Sequence, residues 1–238
     1  MIAAGSTGAA MASAVFNIGR IEGIDRPAIG VVLPTAESPC MLIDAGANAD
    51  CIPEMLLQFA KMGGVFMKNV YGVDDPRVGL LNIGEETGKG NAFVNSAFKL
   101  LEQDSSIRFV GNIEGKEMFM GHADVAVCDG FTGNIALKSA EGVLKLLFHY
   151  LKDELTRTIK TKAGAFLARS AFRRTRKKVD PEEHGGALLL GVQGICVIGH
   201  GGSSANAIKN AVRVAKNAIE TDVLGKIGTQ VLEGCERP

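Results

Sequence analysis

Five short glycine-containing segments place small polar side chains where strands are predicted to end: AGSTGA (4–9), DAGANAD (44–50), NIGEETGKG (82–90), DGFTGN (129–134) and HGGSS (200–204). Glycine lets the backbone approach a bound molecule closely, and the N-terminus of a following helix offers unpaired N–H groups to an anion. Because ligands of open α/β sheets lie beyond the carboxyl ends of the strands, we expect all five junctions at one sheet edge. Short strand–helix loops need glycine in any case, which would account for about half of them.

Few side chains near these segments suit acid–base or nucleophilic chemistry. Of the four histidines, His200 directly follows a predicted strand and is the best candidate, and His184 in the polar EEHGG stretch is second. Lys138 either faces an anion at the start of the helix after DGFTGN or is a solvated lysine. Cys51 and Cys128 lie beside strand ends, where a thiol is more often a small core residue than a nucleophile.

The acidic residues of the same segments leave two interpretations open. Asp44 and Asp50 could hold Mg²⁺, but their spacing matches no calcium loop and Asp50 suits a turn or helix cap better. Glu85 and Glu86 either orient a cation or are solvated acids near a helix start. We predict no metal site and no cofactor. The chain also lacks a complete P-loop, a GxGxxG fingerprint and a GxSxG elbow, which argues against nucleotide-binding and serine-hydrolase functions.

Hydrophobic patterning predicts alternating strands and helices around these loops. Strands are expected at 28–34, 40–46, 77–84, 107–113, 123–129 and 194–200, after a strand end at the start of the chain. Helices are expected from about Gly8 and at 53–70, 90–103, 132–155 and 203–221. The apolar strands favour a parallel or mixed sheet covered on both faces.

The composition is typical of a soluble globular protein, with 238 residues, 46% hydrophobic, 22% charged and a formal net charge of zero. No apolar run approaches the roughly 18 residues of a membrane-spanning helix, and no secretory signal opens the chain. The five cysteines include no CxxC pair, a pattern that indicates reduced thiols in the cytoplasm rather than disulfides or zinc.

Segment 156–178 breaks this charge balance, because it holds nine Lys and Arg and no acid. On one continuous helix, five apolar residues would share a 120° face: Leu155, Ile159, Ala163, Phe166 and Leu167. Such a face suits an anionic membrane surface or an acidic carrier protein. The alternative is a dimer-packing helix with solvated bases. We expect no nucleic-acid partner.

Eight blocks in one order resemble a known family: AGSTGA, GIDRPA (23–28), LIDAGANADC (42–51), QFAKMG (58–63), PRVGLLNIGEE (76–86) with KGN, VCDGFTGN, EHGGALLLG (183–191) and the His200-Gly201 turn. They resemble the phosphate acyltransferases of bacterial phospholipid synthesis, which convert an acyl thioester of acyl carrier protein and inorganic phosphate into acyl phosphate. The resemblance implies an α/β fold with a three-layer α/β/α architecture and a mixed, mostly parallel sheet. This fold is similar to that of the isocitrate and isopropylmalate dehydrogenases. The resemblance further implies a homodimer that is cytoplasmic and peripherally membrane-associated.

The same resemblance sets expectations for organisation. We expect one catalytic domain over 1–238 with a basic amphipathic helical insertion at about 151–180. Relatives usually carry Asn where this chain has Ser6, and they begin further upstream with an Asp-x-Met-Gly-Gly-Asp motif. Three explanations stay open: a fragment, a misassigned start, or a naturally shortened form. A missing first strand would expose a sheet edge and remove one wall of the site.

The resemblance and the loop chemistry together suggest roles for individual residues. Thr132, Asn134 and the Gly130 and Gly133 backbone would bind phosphate or the oxyanion, Lys138 would add charge, and His200 would shuttle a proton. The remaining substrate-binding candidates are Ser6, Thr7, Gly8, Asp44, Asn48, Asn82, Glu85 and Asp129. Two alternatives stay open, namely acyl-CoA as the donor and a non-catalytic binding module of the same fold.

Overall fold

The structure is a computed structural model and describes residues 1–179, 183, 185–199 and 201–233. The predicted candidates His184 and His200 lie outside the described residues.

Eight strands form one mixed sheet in the order β1-β8-β7-β2-β3-β6-β4-β5. The strands are β1 (Ile2–Ala4), β2 (Ala28–Leu33), β3 (Cys40–Ile43), β4 (Arg77–Leu81), β5 (Arg108–Ile113), β6 (Val125–Val127), β7 (Ala187–Leu190) and β8 (Cys196–Gly199). Four neighbouring pairs are parallel: β1 with β8, β3 with β6, β6 with β4, and β4 with β5. The pairs β8 with β7, β7 with β2, and β2 with β3 are antiparallel. Every residue of β2, β3 and β6 is buried, as expected for strands covered on both faces.

Helices cover both faces of the sheet and complete a three-layer α/β/α architecture. They are α1 (Thr7–Asn17), α2 (Pro53–Tyr71), α3 (Ala92–Gln103), α4 (Gly115–Met120), α5 (Gly130–Thr156), α6 (Ile159–Val179), α7 (Ala205–Glu220) and α8 (Val223–Glu233). One apolar cluster joins α2, α3, α7 and α8 to the sheet, whereas a second joins α1, α4 and the start of α5 to the opposite face. Because strand side chains alternate, Met41 and Ile43 enter the first cluster and Cys40 and Leu42 enter the second.

Local sequence signals explain where the helices start. The Ser6 hydroxyl accepts a hydrogen bond from the Ala9 N–H at 3.4 Å, and the Asn91 side chain accepts one from the Val94 N–H at 2.9 Å. Pro53 occupies the first turn of α2, where its missing N–H leaves no bond unmade. Such caps satisfy backbone donors that the helix itself cannot.

The predicted elements are confirmed, with ends that differ by a few residues, but three elements are missing from the prediction. α4 is only six residues long and lacks a helical period, although Glu114 and Glu117 form a capping box at its start. β7 is four residues long, and α8 carries Gly225 and Gly228 within its helical pattern. The short α4 and β7 give little periodic signal, whereas Val223, Ile227 and Val231 of α8 recur at helical spacing and could have identified that helix.

The prediction that all five glycine junctions lie at one sheet edge is wrong. β2 is antiparallel to β3, whereas β8 and β1 run in the same direction as β2. β1 and β8 therefore end at the edge where β3, β4 and β6 begin. We call the edge at which β3, β4 and β6 end the Asp44 edge, and the edge at which β1 and β8 end the Ser6 edge. The junctions at 44–50, 82–90 and 129–134 follow strands that end at the Asp44 edge, and those at 4–9 and 200–204 follow strands that end at the Ser6 edge.

The long helices α5 and α6 form a helical arm with little burial. The buried residues of α5 are Gly130 and Gly133 at its start, and α6 contains no buried residue. At 27 residues α5 is about 40 Å long. The chain breaks the helix at 157–158, so the predicted continuous face is wrong, because Leu155 belongs to α5 and the other four residues to α6. Among the described residues, none of the helices is both long and apolar enough to cross a membrane.

Candidate functional site

The Asp44 carboxylate anchors the loop that follows β3. Its side chain is fully buried and accepts hydrogen bonds from the N–H groups of Ile29, Gly46 and Ala47 at 2.9 to 3.0 Å. It also accepts bonds from the backbone N–H of Asn48 at 2.7 Å and from its side-chain amide at 2.9 Å. Five donors occupy the carboxylate, so Asp44 shapes the loop instead of presenting a ligand to substrate or metal.

The glycines of DGFTGN allow the start of α5 to pack directly on that loop. A Cβ atom at Gly133 would lie 1.9 Å from the Asp44 carbonyl oxygen, and one at Gly130 would lie 2.6 Å from the Asn48 carbonyl oxygen. Any side chain at these positions would force the two backbone segments apart. Close packing of backbone on backbone therefore explains both glycines.

Three of the first four N–H groups of α5, those of Gly130, Thr132 and Gly133, donate within the chain. The Gly130 N–H donates to the Asn48 carbonyl oxygen at 2.7 Å, and the Gly133 N–H donates to the Asp129 carbonyl oxygen at 2.9 Å. Asp129 caps the helix by accepting bonds from the Thr132 N–H at 2.7 Å and the Thr132 hydroxyl at 2.9 Å. The Gly130 and Gly133 amides of the predicted cradle therefore donate within the chain.

Asn134 is the side chain at this helix start that is best placed to bind a ligand. It is exposed, and its side-chain atoms lie 3.4 to 3.6 Å from the position of a Cβ on Gly46. Among the described residues, no hydrogen bond engages its amide. Lys138 lies eight residues beyond Gly130, about 12 Å along the helix axis, and pairs with Glu141 at 3.3 Å. The structure therefore does not bring Lys138 to the helix start.

The loop after β4 is the third wall of the Asp44 edge. The Asn82 side-chain amide donates to the Lys89 carbonyl oxygen at 3.0 Å, and its oxygen accepts from the Ile83 N–H at 2.8 Å. Gly90 has φ +88° and packs against the Asn82 side chain. Asn82 therefore holds the loop in shape, as Asn48 does in the loop after β3.

A pair of carboxyl groups joins this loop to α4. A hydrogen bond between Glu85 and Glu117 raises the pKa of Glu85. The pKa of Glu117 is lowered, first by the backbone N–H of Glu114 and then by Glu85. Glu117 is buried, and its carboxylate accepts from the Glu114 N–H at 2.8 Å. Glu85 is therefore committed to a contact within the protein.

Asn112 is a buried polar residue at the end of β5 that the sequence did not single out. Its amide donates to the Glu86 carbonyl oxygen at 3.1 Å, and its Oδ1 has no partner among the described residues. It stands in the strand segment RFVGNI, where a polar residue among apolar ones is the signal that could have identified it. Two apolar side chains also border this edge in exposed positions, Ile83 and Phe131.

The thiols beside this edge are structural. Burial raises the pKa of the Cys51 thiol to about 11 and that of Cys128 well above its ordinary value. Cys51 donates a hydrogen bond to the Asn48 carbonyl oxygen at 3.4 Å, and Cys128 donates one to the Asp44 carbonyl oxygen at 3.7 Å. A thiol that stays protonated is a poor nucleophile, so the core interpretation of both cysteines holds.

The structure divides the predicted site residues between the two edges. Asp44, Asn48, Asn82, Glu85 and the 129–134 segment come together at the Asp44 edge. Ser6, Thr7 and Gly8 begin α1 at the Ser6 edge, where Gly5 donates a backbone bond to Gly199 at 3.3 Å. In the part of the chain that the structure describes, no group of three or more His, Cys, Asp or Glu could hold a metal ion.

Comparison with solved structures gives the class of fold. A phosphotransacetylase from Streptococcus pyogenes superposes with a TM-score of 0.60 over 92% of this chain and 63% of that chain, at 20% sequence identity. The EutD phosphotransacetylase from Staphylococcus aureus gives a TM-score of 0.59 over 91% of this chain and 62% of that chain, at 14% identity. The protein thus has the fold of the phosphotransacetylases.

Sequence comparison gives the family. The family model described as fatty acid synthesis protein matches residues 1–226. Phosphate acyltransferase from Trichodesmium erythraeum is 48% identical over 98% of this chain and 69% of its own length, and phosphate acyltransferase from Pelotomaculum thermopropionicum is 50% identical over 97% and 67%. The chain belongs to the fatty acid synthesis protein family, and it spans about two thirds of the length of these curated relatives, 69% and 67%.

Proposed function

We propose that this protein transfers a fatty acyl group from the thioester of acyl carrier protein to inorganic phosphate, giving acyl phosphate and the free carrier thiol. The observation that carries the proposal is the family match over residues 1–226, together with close relatives that are phosphate acyltransferases. The Asp44 edge supports it, since the hydrogen-bonded loops of this edge surround the exposed side-chain amide of Asn134.

The reaction needs little from the protein beyond placement. A phosphate oxygen attacks the thioester carbonyl carbon, a C–O bond forms, the C–S bond breaks, and the sulfur takes up the proton that phosphate loses. Binding both substrates in register and stabilising the oxyanion supply most of the acceleration. No covalent acyl-enzyme is required.

Asn134 is the proposed donor to phosphate or to the oxyanion. Its amide is exposed at the start of α5, and the packing of Gly133 on Asp44 fixes the backbone beneath it. The Thr132 hydroxyl donates its proton to Asp129 at 2.9 Å, so its proposed contribution is to accept a hydrogen bond from a P–OH group of phosphate. Asn48, Asn82 and Glu85 position the surrounding loops. The proton-shuttle role of His200 stays a prediction, as do roles for Ser6 and Thr7.

The test is phosphate-dependent loss of acyl–acyl carrier protein, with hydroxylamine trapping the acyl phosphate. Asn134→Ala is expected to lower kcat/KM for phosphate about 100-fold, the effect of removing one oxyanion donor. Ser13→Ala, at an exposed residue of α1 that is not a site candidate, is the control and should change kcat/KM less than threefold. Unchanged turnover and phosphate KM in both Asn134→Ala and Thr132→Ala would show that the site lies elsewhere.

Two comparisons separate this function from its alternatives. In the first, acyl-CoA replaces acyl–acyl carrier protein in the assay. If acyl-CoA can serve as the donor, it would be consumed at a rate comparable to that of acyl–acyl carrier protein. A folded protein that consumes neither donor, yet binds acyl carrier protein, would be a binding module of the same fold.

We further propose that the helical arm holds both a second copy of the chain and an anionic membrane surface. Val143, Leu146, Leu147 and Tyr150 recur at helical spacing along α5 and are 52 to 65% exposed, an apolar stripe suited to a second copy. On α6, Ile159, Phe166 and Leu167 are 64 to 87% exposed beside the nine bases of 156–178. Exposed apolar side chains flanked by cations favour anionic lipid.

Sedimentation experiments distinguish the proposed dimer contact of the helical arm from its proposed membrane contact. Leu146→Lys with Leu147→Lys should convert a dimer into a monomer and leave the bases in place. Neutralising the five bases at 173, 174, 176, 177 and 178 should weaken co-sedimentation with vesicles containing phosphatidylserine and keep the dimer. Vesicle binding that persists after neutralisation would overturn the electrostatic account.

A further inference from the structure

An apolar groove of about 690 Å³ opens beside the Asp44 edge, between α1 and the start of α2. Its walls carry Met11, Val15 and Phe16 from α1 and Ile52 and Met55 from the other side, with Asn48 at the floor. Its volume falls in the range of about 300–1,000 Å³ that small-molecule sites occupy.

The groove is built onto the candidate site. Asn48, which lines the groove, donates its side-chain amide to the Pro27 carbonyl oxygen at 2.8 Å and to Asp44 at 2.9 Å. Its own carbonyl oxygen accepts the Gly130 N–H at 2.7 Å, so the same residue contacts the start of α5. The groove is therefore joined through Asn48 to the start of the helix that carries Thr132 and Asn134.

The chemistry of the walls specifies an elongated apolar occupant. Phe16 is 86% exposed and Ile52 is 49% exposed, so each wall presents a large hydrocarbon surface to water. Covering such surface is favourable in proportion to the apolar area removed from water. On the polar side, the Arg20 guanidinium is engaged by the carbonyl oxygens of Ile24, at 3.1 Å, and Asp25.

We propose that this groove binds the fatty acyl chain of the donor and thereby sets the preference for chain length. The inference rests on the proposed function, because an acyltransferase acting on fatty acyl groups must hold the hydrocarbon while its carbonyl carbon faces phosphate. The occupant is the hydrocarbon chain itself: most of the lining residues are apolar, the charged residues Arg20, Asp25 and Arg26 are in the minority, and Asn48 joins the groove to the start of α5.

Ala12 offers a way to fill the groove. It lies on α1 among the lining residues, so we expect the larger side chain of a Phe at this position to take up volume in the groove. Ser13 is the matched control, since it is exposed on the same helix and does not line the groove. Ala12→Phe and Ser13→Phe place the same ring on the same helix, one inside the groove and one outside it.

The binding measurement exploits the absence of Trp from the chain. Phe16→Trp would place a single fluorophore in the groove wall, and its emission is followed during titration with palmitate and with butyrate, which share a carboxylate. We expect a saturable blue shift with palmitate and a much weaker response to butyrate. Adding Ala12→Phe should weaken palmitate binding at least tenfold, and adding Ser13→Phe should leave it within twofold.

Turnover distinguishes failure of the groove from failure of the function. With palmitoyl-carrier protein as donor, Ala12→Phe should lower kcat/KM at least tenfold, whereas butyryl-carrier protein should be consumed as fast as by the unaltered chain. Equal loss with both donors, or none with either, would overturn the groove assignment while leaving acyl transfer intact. If no donor is consumed, the proposed function fails and the fluorescence titration still decides the groove.

Two other outcomes would also overturn the inference. A palmitate response that Ala12→Phe does not weaken would place the chain elsewhere. A change in sedimentation coefficient on Ala12→Phe, with palmitate binding unaffected, would show that the groove packs against a second copy of the chain.

Discussion

The two edges of the sheet carry similar glycine-containing sequences that serve different physical ends. At the Asp44 edge, a Cβ atom on Gly130 or Gly133 would collide with backbone of the neighbouring loop at 2.6 or 1.9 Å. At the Ser6 edge, a Cβ on Gly5 or Gly8 would meet nothing within 4 Å. Glycine at the first edge is thus required by packing between segments, whereas Gly8 at the second edge has no such requirement.

This difference shows that a strand–glycine–helix junction does not by itself identify an anion cradle. The N–H groups of Gly130 and Gly133 donate within the chain. What the Asp44 edge provides is a rigid framework, in which the buried carboxylate of Asp44 accepts five hydrogen bonds and Asn48 links three segments. Exposed side chains such as Asn134 are then held on that framework.

The largest expected effect comes from Gly133→Ala. The added methyl group would lie 1.9 Å from the Asp44 carbonyl oxygen, so α5 and the Asp44 loop must separate. We expect the free energy of unfolding to fall by about 3 kcal/mol, the upper end for an overpacked site. Urea unfolding followed by circular dichroism measures this.

Gly8→Ala is the matched control at the other edge. Gly8 lies in α1 with open space around its Cβ position, so alanine should raise the free energy of unfolding by about 0.5–1 kcal/mol. Equal urea midpoints for the two variants would contradict the contrast between the edges.

Asp44→Asn should give the next largest effect. An amide at this position turns an NH₂ group toward backbone N–H donors, which leaves buried donors without acceptors at a cost of about 2–3 kcal/mol. Asp50→Asn, on an exposed acid of the same loop, should cost less than about 0.5 kcal/mol. Thermal unfolding of the two variants decides whether the buried carboxylate holds the loop.

Sequence patterns predicted most of the elements because the apolar strands and capped helices carry local signals. Pro53 at the start of α2 and the serine before α7 are such signals, and both helices begin where expected. α4 and β7 escaped because six and four residues are too few to show a clear period, whereas α8 was missed although its buried residues Val223, Ile227 and Val231 recur at helical spacing.

The candidate site was predictable in its residues but not in its arrangement. Asp44, Asn82 and Asp129 follow strands that the apolar runs identify. However, β2 is antiparallel to both of its neighbours, β3 and β7, and this reversal of strand direction places Ser6 at the opposite edge. Strand direction depends on pairing between distant segments, which no local sequence pattern records. The roles of Asp44 and Asn82 in shaping loops likewise depend on contacts made only after the chain folds.

An ion pair gives the Ser6 edge a dependence on pH. At this edge, where β4 and β6 begin, Asp124 accepts bonds from the Arg77 side chain at 3.0 and 3.1 Å and from the Ser38 hydroxyl at 3.2 Å. Burial alone would raise the pKa of Asp124, but the hydrogen bonds and charge of Arg77 bring it below its ordinary value. Its contribution to stability is therefore present above an ordinary pKa of about 3.9 and is lost as pH falls through the lowered value.

Asp124→Asn removes that contribution. We expect a loss of about 1–2 kcal/mol at pH 7, typical of hydrogen bonds to a charged group, and a smaller difference from the unaltered protein at pH 2–3. Urea unfolding across pH 2–7 measures both. A difference that stays constant over this range would show that the carboxylate charge is not what Arg77 stabilises.

The smallest expected effect concerns the carboxyl pair at the Asp44 edge. Hydrogen bonding to Glu117 raises the pKa of Glu85, so this contribution to stability is present below its ordinary pKa and is lost as pH rises through the raised value. The pKa of Glu117 is lowered, so its contribution has the opposite pH dependence.

Glu85→Gln keeps a hydrogen-bond donor toward Glu117 at every pH, and it should raise Tm by about 1 °C at pH 7 with no change near pH 4. Glu86→Gln, the neighbouring exposed acid, is the control and should show no such pH dependence. A Glu85→Gln variant that loses stability at pH 7 would show that the charge of Glu85, and not its hydrogen bond to Glu117, stabilises the loop after β4.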